Sequence, residues 1–381
     1  MAGEARRGIT LTDRQRLAWL RLIRSDNVGP ATFRDLINHF GSAETALQML
    51  PELSRRGGST RAIRIATVAE AERELALCLR FGARFVGIGE PEYPAALRQI
   101  EAAPPLLAVK GDVSLTALPA LGIVGARNAS ISGAKFAAMI ARDVGRSGYA
   151  IISGLARGID TAAHRASLDT GTIAAMAGGL DQPYPPENAD LLREITEGRG
   201  LAISEMPFGW EPRARDFPRR NRLIAGTALG LAVVEAASRS GSLISARLAG
   251  EFGRLVFAVP GSPLDPRCQG TNQLLKDGAT LVTEPRDILE ALAPLSRIDL
   301  FTRPQAEEPD EGEGRMPLPP AEDERSAVID ALGPTPVEID DIIRHTGLGM
   351  GTVYLVLLEL DLAGRLERHA GGLVSLAGDA A

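Results

Sequence analysis

Six short apolar runs dominate the middle of the chain. They occupy residues 121–124, 150–152, 173–176, 202–204, 231–234 and 255–259. Each run is continuous rather than alternating, which indicates strands that are buried on both faces. Glycine-containing turns and amphipathic helical segments follow the runs, for example at 134–144 and 243–252. The pattern predicts an α/β fold with an extended Rossmann-like, doubly wound and mostly parallel sheet between two layers of helices.

The chain is long enough for further domains. It has 381 residues, of which 45% are hydrophobic and 24% charged, as in a globular protein with several domains. A turn at Asn27-Val28-Gly29-Pro30 between two helical segments is similar to helix-hairpin-helix modules, and a plain helical bundle is the alternative. We predict a helical SAM-like or helix-hairpin-helix-like domain at 1–82, the sheet domain at 83–300, a flexible linker rich in Pro, Gly and acids at 301–323, and a winged-helix-like domain at 324–381.

Charge is reversed locally between Glu211 and Arg247. This stretch contains seven arginines, no lysine and three acids, whereas the whole chain has a net charge of -6. Three of the arginines lie in the run Phe217-Pro218-Arg219-Arg220-Asn221-Arg222, which we interpret as a loop. A guanidinium presents a planar fork of donors that fits phosphate or carboxylate. The run therefore predicts a local anion site, and the alternatives are a solvated cationic loop or arginines that pair with acids from elsewhere in the fold.

Three turns at the carboxyl ends of predicted strands have features of anion sites. They are the turn from Gly125 to Ser130 with Arg127, the turn at Ser153-Gly154 with Arg157, and the turn Arg239-Ser240-Gly241-Ser242. Ligands of parallel sheets bind at this edge, and helix N-termini bind anions. The first turn reads G-x-x-G-x-R rather than G-x-G-x-x-G, which disfavours a dinucleotide. Several such turns on one edge favour a polyphosphate ligand.

The remaining polar residues do not suggest catalysis or metal binding. We expect Asp160 to cap the helix at 161–168 and His164 to be buried and hydrogen-bonded. Cys78 and Cys268 are too few for a disulfide framework and have no metal-ligand spacing. The sequence therefore predicts no catalytic residue, no metal and no cofactor. It shows no signal-peptide pattern and no apolar stretch long enough to span a membrane, so we expect a cytoplasmic protein without a membrane partner.

The predicted recognition helix of the winged-helix-like domain is unsuited to DNA. Residues 349–362 contain no Lys or Arg and include Glu359 and Asp361. Phosphate contacts dominate the affinity for duplex DNA, so acids in this helix disfavour groove binding. We expect a protein-protein or regulatory role for this domain.

Segments in the predicted sheet domain resemble the signature of the DNA processing protein A (DprA/Smf) family. They are GIVGARNAS, SGLARGID, AGGLDQPYPPEN, FPRRNRLIAG, EAASRSGSLISARLA and VPGSP, followed by Gly270-Thr271-Asn272 and Asp277-Gly278-Ala279. The resemblance implies a protein that is not an enzyme, that binds and protects single-stranded DNA, forms a homodimer through its Rossmann-like domain and loads the RecA recombinase during natural transformation or recombination. The implied DNA pocket comprises Arg127, Ser130, Ser153, Gly154, Arg157, Phe217, Arg219, Arg220, Asn221, Arg222, Gly241 and Ser242.

The residue chemistry agrees with a single strand, which offers phosphates to arginines and bases that can stack on Phe217. Aromatic residues make up only 4% of the chain, so we expect binding dominated by the backbone of the DNA. A nucleotide hydrolase of the LOG type is similar in fold and is the enzyme alternative. Its catalytic Glu would fall on Ser245, so the general acid/base group is missing. A protein-interaction scaffold is a third alternative, in which the arginine run is incidental.

Overall fold

The computed structural model describes residues 10–297, 320–369 and 371–377. These residues form two compact units, one made of Leu11–Arg73 together with the C-terminal residues from 320, and the other made of residues 74–297. The predicted linker at 301–323 lies outside the described residues up to 319, and Glu322 and Asp323 already belong to a helix. The predicted domain boundaries stay a prediction. The structure groups the helical N-terminal residues and the C-terminal residues in one unit.

The described residues form fourteen α-helices and twelve strands, and from β3 onward helices and strands alternate in the longer unit. The helices of the described chain are α1 (Asp13–Ile23), α2 (Pro30–Phe40), α3 (Ala43–Arg56), α4 (Val68–Arg80), α5 (Ile131–Arg146), α6 (Ile159–Ala166), α7 (Ala189–Glu197), α8 (Asp216–Thr227), α9 (Gly241–Glu251), α10 (Gln269–Lys276), α11 (Pro285–Arg297), α12 (Glu322–Asp330), α13 (Ile339–Thr346) and α14 (Met350–Leu362). The strands are β1 (Arg84–Gly87), β2 (Leu106–Gly111), β3 (Ala120–Gly125), β4 (Ala150–Ser153), β5 (Thr172–Ala175), β6 (Gly200–Ser204), β7 (Gly230–Val234), β8 (Leu255–Ala258), β9 (Thr280–Leu281), β10 (Val337–Glu338), β11 (Leu366–Arg368) and β12 (Leu373–Leu376).

The longer unit is built on one nine-stranded sheet with the order β1-β2-β6-β5-β4-β3-β7-β8-β9. The seven strands β6-β5-β4-β3-β7-β8-β9 run parallel to one another. Strand β2 is antiparallel to both β1 and β6. The six apolar runs are β3 to β8, so the predicted fold class is confirmed. From β3 the chain winds outward through β4, β5 and β6 and then returns to β7 on the other side of β3. The carboxyl ends of β3 and β7 therefore flank the point where the winding direction reverses, which is where such sheets bind ligands.

Apolar side chains cover both faces of this sheet. On one face, Leu121 and Ile123 of β3 pack with Ile140 of α5 in one buried cluster. On the opposite face, Val124 belongs to a second cluster that includes Leu223 of α8. Successive residues of a strand point to opposite faces, so a strand between two helical layers must be apolar throughout. This explains why the six predicted strands appear as continuous apolar runs.

The arginine run lies on a helix and not in the loop that we predicted. Helix α8 begins at Asp216, which places Pro218 at its third residue. The first turn of a helix has backbone amides without intrahelical acceptors, so a proline there removes no hydrogen bond. Helical spacing sends the arginines in different directions. Arg220 is buried, whereas Arg219 is exposed.

The other unit combines α1 to α3 with a winged-helix arrangement of α12, α13, α14 and the β10-β12-β11 sheet. The predicted winged-helix module is therefore confirmed. Its third helix, α14, packs against α2 and α3, and Thr32 donates a hydrogen bond of 2.9 Å to Asp361. Arg368 donates to both Asp361 and Asp35 at 2.8 Å. The acids of α14 are thus engaged within the unit, and Glu359 is fully buried and paired with Arg325 at 2.8 Å.

None of the helices in the described ranges has both the length and the apolar character needed to cross a lipid bilayer.

Candidate functional site

An open cleft of about 880 Å³ lies at the carboxyl ends of β3 and β7. The turn from β3 to α5 lines it with Arg127, the first turn of α8 with Phe217, and the turn from β7 to α9 with Arg239 and Gly241. A Cβ atom at Gly125 would overlap the carbonyl oxygen of Val234 at the end of β7. A glycine at this position therefore lets the two strand ends approach each other closely beneath the cleft.

The turn that opens α5 is already bonded to an acid. Ser130 caps this helix, and its hydroxyl accepts a hydrogen bond of 2.9 Å from the amide of Gly133. The amide of Ser130 donates to a carboxylate oxygen of Glu235 at 2.8 Å, and its hydroxyl donates to the other oxygen of the same carboxylate. Glu235 is 8% exposed. The structure thus places a carboxylate at the helix N-terminus for which the sequence predicted an external anion.

Two arginines on the rim of the cleft are exposed and form no ion pair with any described residue. These are Arg127, after β3, and Arg239, after β7. The guanidinium carbon of Arg127 lies 5.3 Å from the ring centroid of Phe217, within the range of a cation-π contact. The ring of Tyr184, which is 47% exposed, meets Phe217 edge-on with centroids 5.5 Å apart. The rim therefore combines free cationic groups with aromatic rings.

The third predicted anion turn, at the start of α9, contains no acid in its first turn. Ser240 caps the helix through a hydrogen bond of 3.3 Å from the amide of Ser242, and the two hydroxyls lie 2.6 Å apart. Gly241 is exposed at the first position of the helix. Helix N-termini attract anions because their amides lack intrahelical acceptors. With Arg239 immediately before it, this turn has the geometry of an open anion site.

Arg220 lines the cleft, but its side chain is almost completely buried and is engaged by the protein itself. It is 6% exposed and donates to the carbonyl oxygens of Gly154 and, at 3.2 Å, of Ala175. Its Nε donates to Asn221 at 3.1 Å, and Asn221 in turn donates to the carbonyl of Gly241 at 3.4 Å. A Cβ atom at Gly154 would overlap the guanidinium of Arg220. Burial lowers the pKa of Arg220, opposed by the charge of Asp160. Arg220 and Asn221 thus connect the turn after β4, at Gly154, with the turn after β7, at Gly241.

The two remaining arginines of the run bind one buried acid. Arg219 donates to Glu205 at 3.0 Å and Arg222 donates to its second oxygen at 2.7 Å. Glu205, directly after β6, is 7% exposed. Arg222 also donates to the carbonyl oxygen of Ala102. The structure therefore uses both side chains to join α8 to neighbouring segments, as the alternative interpretation of the arginine run proposed.

Two further predicted site residues differ in their accessibility. Ser153 is fully buried, and its hydroxyl donates to the carbonyl of Ile123 at 2.6 Å. Arg157 is exposed and pairs with Glu187, which is also exposed. An ion pair in water contributes little to stability, so Arg157 can exchange this carboxylate for another anion.

The titratable groups next to the cleft hold the backbone of the turn after β4. Asp160 is not the N-cap that we predicted, because α6 begins at Ile159 with Gly158 as its cap. Its carboxylate accepts hydrogen bonds from the amides of Gly154 at 3.1 Å and Ala156 at 3.3 Å. Burial raises the pKa of Asp160, and the charge of Arg220 and these amides oppose the increase.

His164 is fully buried, and burial lowers its pKa to about 3. It accepts a hydrogen bond of 3.3 Å from the amide of Leu155, and its other ring nitrogen lies 2.7 Å from the hydroxyl of Thr172. The imidazole is therefore neutral near pH 7, in agreement with the buried, hydrogen-bonded histidine predicted from the sequence. No group of three or more His, Cys, Asp or Glu side chains in the described part of the chain is arranged to hold a metal ion.

Comparison with known proteins agrees with this fold. The family model for DNA recombination-mediator protein A matches residues 84–293. The chain belongs to the DNA recombination-mediator protein A family. Residues 13–76 match the DprA-like N-terminal HHH domain and residues 312–372 the DprA winged helix domain, so all three modules of the family are represented. The predicted family membership is confirmed.

Several members of the DprA family are close relatives. The Smf protein of Escherichia coli is 38% identical over 74% of this chain and 75% of its own length, and the DprA of Streptococcus pneumoniae is 45% identical over 52% and 70%. The X-ray structure of the pneumococcal DprA covers 74% of this chain and 98% of its own, with a TM-score of 0.60 and 33% identity. The DprA of Helicobacter pylori, whose structure addresses its mode of binding single-stranded DNA, covers 56% and 96% with a TM-score of 0.51 and 27% identity.

Sequence reasoning did not include Arg239, Tyr184 and Arg267 among the site residues, although all three line the cleft. Arg239 had a usable signal, because it directly precedes the Ser-Gly-Ser turn that opens α9. Tyr184 lies far from Phe217 in the sequence, and only the fold brings the two rings together.

Proposed function

We propose that this protein binds single-stranded DNA in the cleft between β3 and β7. The observation that supports the proposal is that Arg127 and Arg239, both exposed and without an ion pair among the described residues, line the same cleft as the open N-terminus of α9. Guanidinium groups and helix amides bind phosphates, and the rings of Phe217 and Tyr184 provide surfaces on which bases can stack. The H. pylori relative, which has the same fold, binds single-stranded DNA.

The predicted site residues divide into two groups under this proposal. The residues that contact DNA are Arg127, Arg157, Phe217, Gly241 and Ser242 from the prediction, with Arg239 added. The residues that hold the cleft in shape are Ser130, Ser153, Gly154, Arg219, Arg220, Asn221 and Arg222, because their polar groups are engaged by other parts of the protein.

We further propose that the protein is not an enzyme. Among the described residues that line the cleft, Asp160 is the one carboxylate, and its hydrogen bonds to backbone amides fix it in place. Ser245, where a LOG-type hydrolase would have its catalytic Glu, is buried and has no acid/base group. A phosphate ligand would therefore be bound without a group positioned to transfer a proton.

The role that follows is a recombination mediator. We propose that the protein protects incoming single-stranded DNA in the cytoplasm, forms a homodimer through its Rossmann-like unit, and loads the RecA recombinase onto the bound strand during natural transformation or recombination. The membership of the DNA recombination-mediator protein A family supports this role.

Fluorescence anisotropy with labelled oligo-dT and with a duplex of equal length tests the proposal. The double variant Arg127→Ala/Arg239→Ala should bind oligo-dT at least about a hundredfold more weakly than the parent, because each charge-assisted hydrogen bond is worth about 1.5 kcal/mol or more. The parent should bind the duplex more weakly than the single strand.

The matched control is Arg142→Ala/Arg146→Ala. It removes two exposed arginines of α5 that lie more than about 15 Å from the N-terminus of that helix, counted at 1.5 Å per residue. Equal loss of affinity in both double variants would mean that binding depends on overall charge and not on the cleft. Release of a base from nucleoside monophosphates by the parent would instead support the hydrolase.

A further inference from the structure

Glu235 has an unusual backbone conformation at the carboxyl edge of the sheet. It is the first residue after β7, and its φ of 56° lies in the left-handed region that residues with a Cβ seldom adopt. This conformation turns the side chain away from the course of β7 and towards the turn from β3 to α5. The side chain crosses from one strand end to the neighbouring one, where its carboxylate is almost completely buried.

The first turn of α5 is shaped to receive this carboxylate. The amide and the hydroxyl of Ser130 each donate to one of its oxygens. A Cβ atom at Gly133 would lie 2.5 Å from the carboxyl carbon, so glycine at that position is what leaves room for it. Three separate features, the left-handed backbone, the two donors of Ser130 and the missing side chain of Gly133, thus converge on one carboxylate.

The position that Glu235 occupies is the one where doubly wound sheets usually bind nucleotides. The first strand of such a sheet leads into a helix whose N-terminus binds the phosphates of a nucleotide. Here β3 leads into α5, and the N-terminus of α5 is filled by a negative group of the protein itself. Two helix N-termini with opposite properties therefore lie at this edge of the sheet, and the lining of the cleft includes the start of α9 and reaches Asn128, two residues before Ser130. That of α5 is neutralised by Glu235, and that of α9 has no acid in its first turn and follows Arg239.

We propose that Glu235 is a specificity-determining residue that excludes free nucleotides from the cleft. The terminal phosphate of a nucleotide has close to two negative charges at pH 7, whereas an internal phosphodiester has one. The buried carboxylate repels the terminal phosphate more strongly and occupies the donors that would bind it. The inference rests on the proposed function in one respect, namely that the phosphodiesters of a strand bind at α9 and the rim arginines.

The test uses two substitutions in the full-length chain. Glu235→Gly removes the carboxylate and introduces the residue that best tolerates a left-handed backbone. Glu235→Gln removes the charge and keeps the size, and its amide oxygen can still accept from Ser130. The matched control is Glu290→Gln, which neutralises an exposed acid of α11 whose partner, Arg286, is not among the residues that line the cleft.

The probe is 5′-dTMP, measured directly by calorimetry and as a competitor of fluorescent oligo-dT. We expect at least tenfold tighter binding of dTMP to both Glu235 variants than to the parent, and no change in Glu290→Gln. We also expect the variants, but not the parent, to prefer oligo-dT with a 5′-phosphate over oligo-dT without one.

The outcomes separate this inference from the proposed function. If the parent binds oligo-dT and neither variant gains affinity for dTMP, Glu235 does not exclude nucleotides and the inference is refuted. If the parent fails to bind oligo-dT, the proposed function is refuted, and the dTMP titrations still decide the role of Glu235. If Glu235→Gly does not fold, Glu235→Gln decides alone, because it retains the shape of the side chain.

Discussion

Replacing Arg220 by alanine should unfold the cleft rather than remove a contact with DNA. The guanidinium donates to the carbonyls of Gly154 and Ala175 and to Asn221, and it lies beside the buried charge of Asp160. Each buried polar group left without its partner costs about 1 to 3 kcal/mol, and the variant also loses the positive charge that opposes the burial of Asp160. Because these groups form one network, their costs overlap, and we expect Arg220→Ala to lower the free energy of unfolding by about 3 to 5 kcal/mol.

Trp210 provides the assay for this loss. The chain contains two tryptophans, and in a Trp19→Phe background the remaining indole donates to Asp216 at 2.9 Å, at the start of α8. Urea unfolding followed by its fluorescence therefore reports on the helix that contains Arg220. Parent and variant are compared at pH 7, and oligo-dT binding is measured under conditions where both are folded.

Arg127→Ala is the comparison that identifies a true DNA contact. The side chain is exposed and has no ion pair among the described residues, and its cation-π contact with Phe217 is worth at most about 1 kcal/mol at an exposed site, so its loss should change the free energy of unfolding by less than about 1 kcal/mol. It should reduce the slope of log affinity against log salt by about 0.7, the value for one phosphate contact on a single strand. A different result for Arg220→Ala would contradict this assignment, namely an unchanged free energy of unfolding and a reduction of about 0.7 in the slope of log affinity against log salt. Arg220 would then leave its buried position to bind DNA, and it would belong to the residues that contact DNA rather than to those that hold the cleft in shape.

Two other perturbations test the described contacts. The pKa of His164 falls from 6.5 in the unfolded chain to about 3 in the fold, so its contribution to stability is complete above pH 6.5 and lost as the pH falls towards 3. Between pH 5.5 and 4, the free energy of unfolding of the parent relative to His164→Gln should fall by about 1.3 kcal/mol per pH unit, and a constant difference in urea titrations would contradict a buried neutral imidazole. Arg368→Ala leaves Asp35 and Asp361 facing each other without the guanidinium between them. We expect the free energy of unfolding of the unit that contains Trp19 to fall by about 3 to 5 kcal/mol, measured by the fluorescence of Trp19. The affinity for oligo-dT should stay within a few fold of that of the parent. A loss of oligo-dT affinity greater than tenfold in this folded variant would show that the unit takes part in DNA binding.

The sheet could be predicted because its strands have a strong pattern. A strand covered by helices on both faces must be apolar at consecutive positions, and β3 to β8 all satisfy this condition. The two-residue strand β9 has exposed side chains and no comparable pattern. Helix α8 was missed for another reason, because Pro218 and four polar residues at 219–222 suggested a loop. Proline is disfavoured inside a helix but is accepted in its first turn, and only the position of Asp216 as the helix start decides between the two.

The site could be predicted only as a region. Sequence reasoning found the three turns that line the cleft, because glycine, serine and arginine at strand ends are typical of anion sites. It could not decide which arginines are free. Glu205 lies 14 residues before Arg219 in the sequence, and Ser130 lies 105 residues before Glu235, so neither contact follows from local spacing. The role of each charged group depends on a partner that only the fold brings near.

These acids also explain how an acidic protein can have a selective cationic cleft. If all the arginines around α8 were free, the cleft would attract any anion, including free nucleotides, because Coulomb attraction does not distinguish among them. Glu205 engages two arginines and Glu235 occupies one helix N-terminus, so the exposed arginines of the cleft lining that have no acidic partner among the described residues are Arg127 and Arg239. A short anion can reach only part of this arrangement at once. Under the proposed function, successive phosphates of a strand bind Arg127, the start of α9 and Arg239, so the proposed arrangement favours a polymer over its monomers.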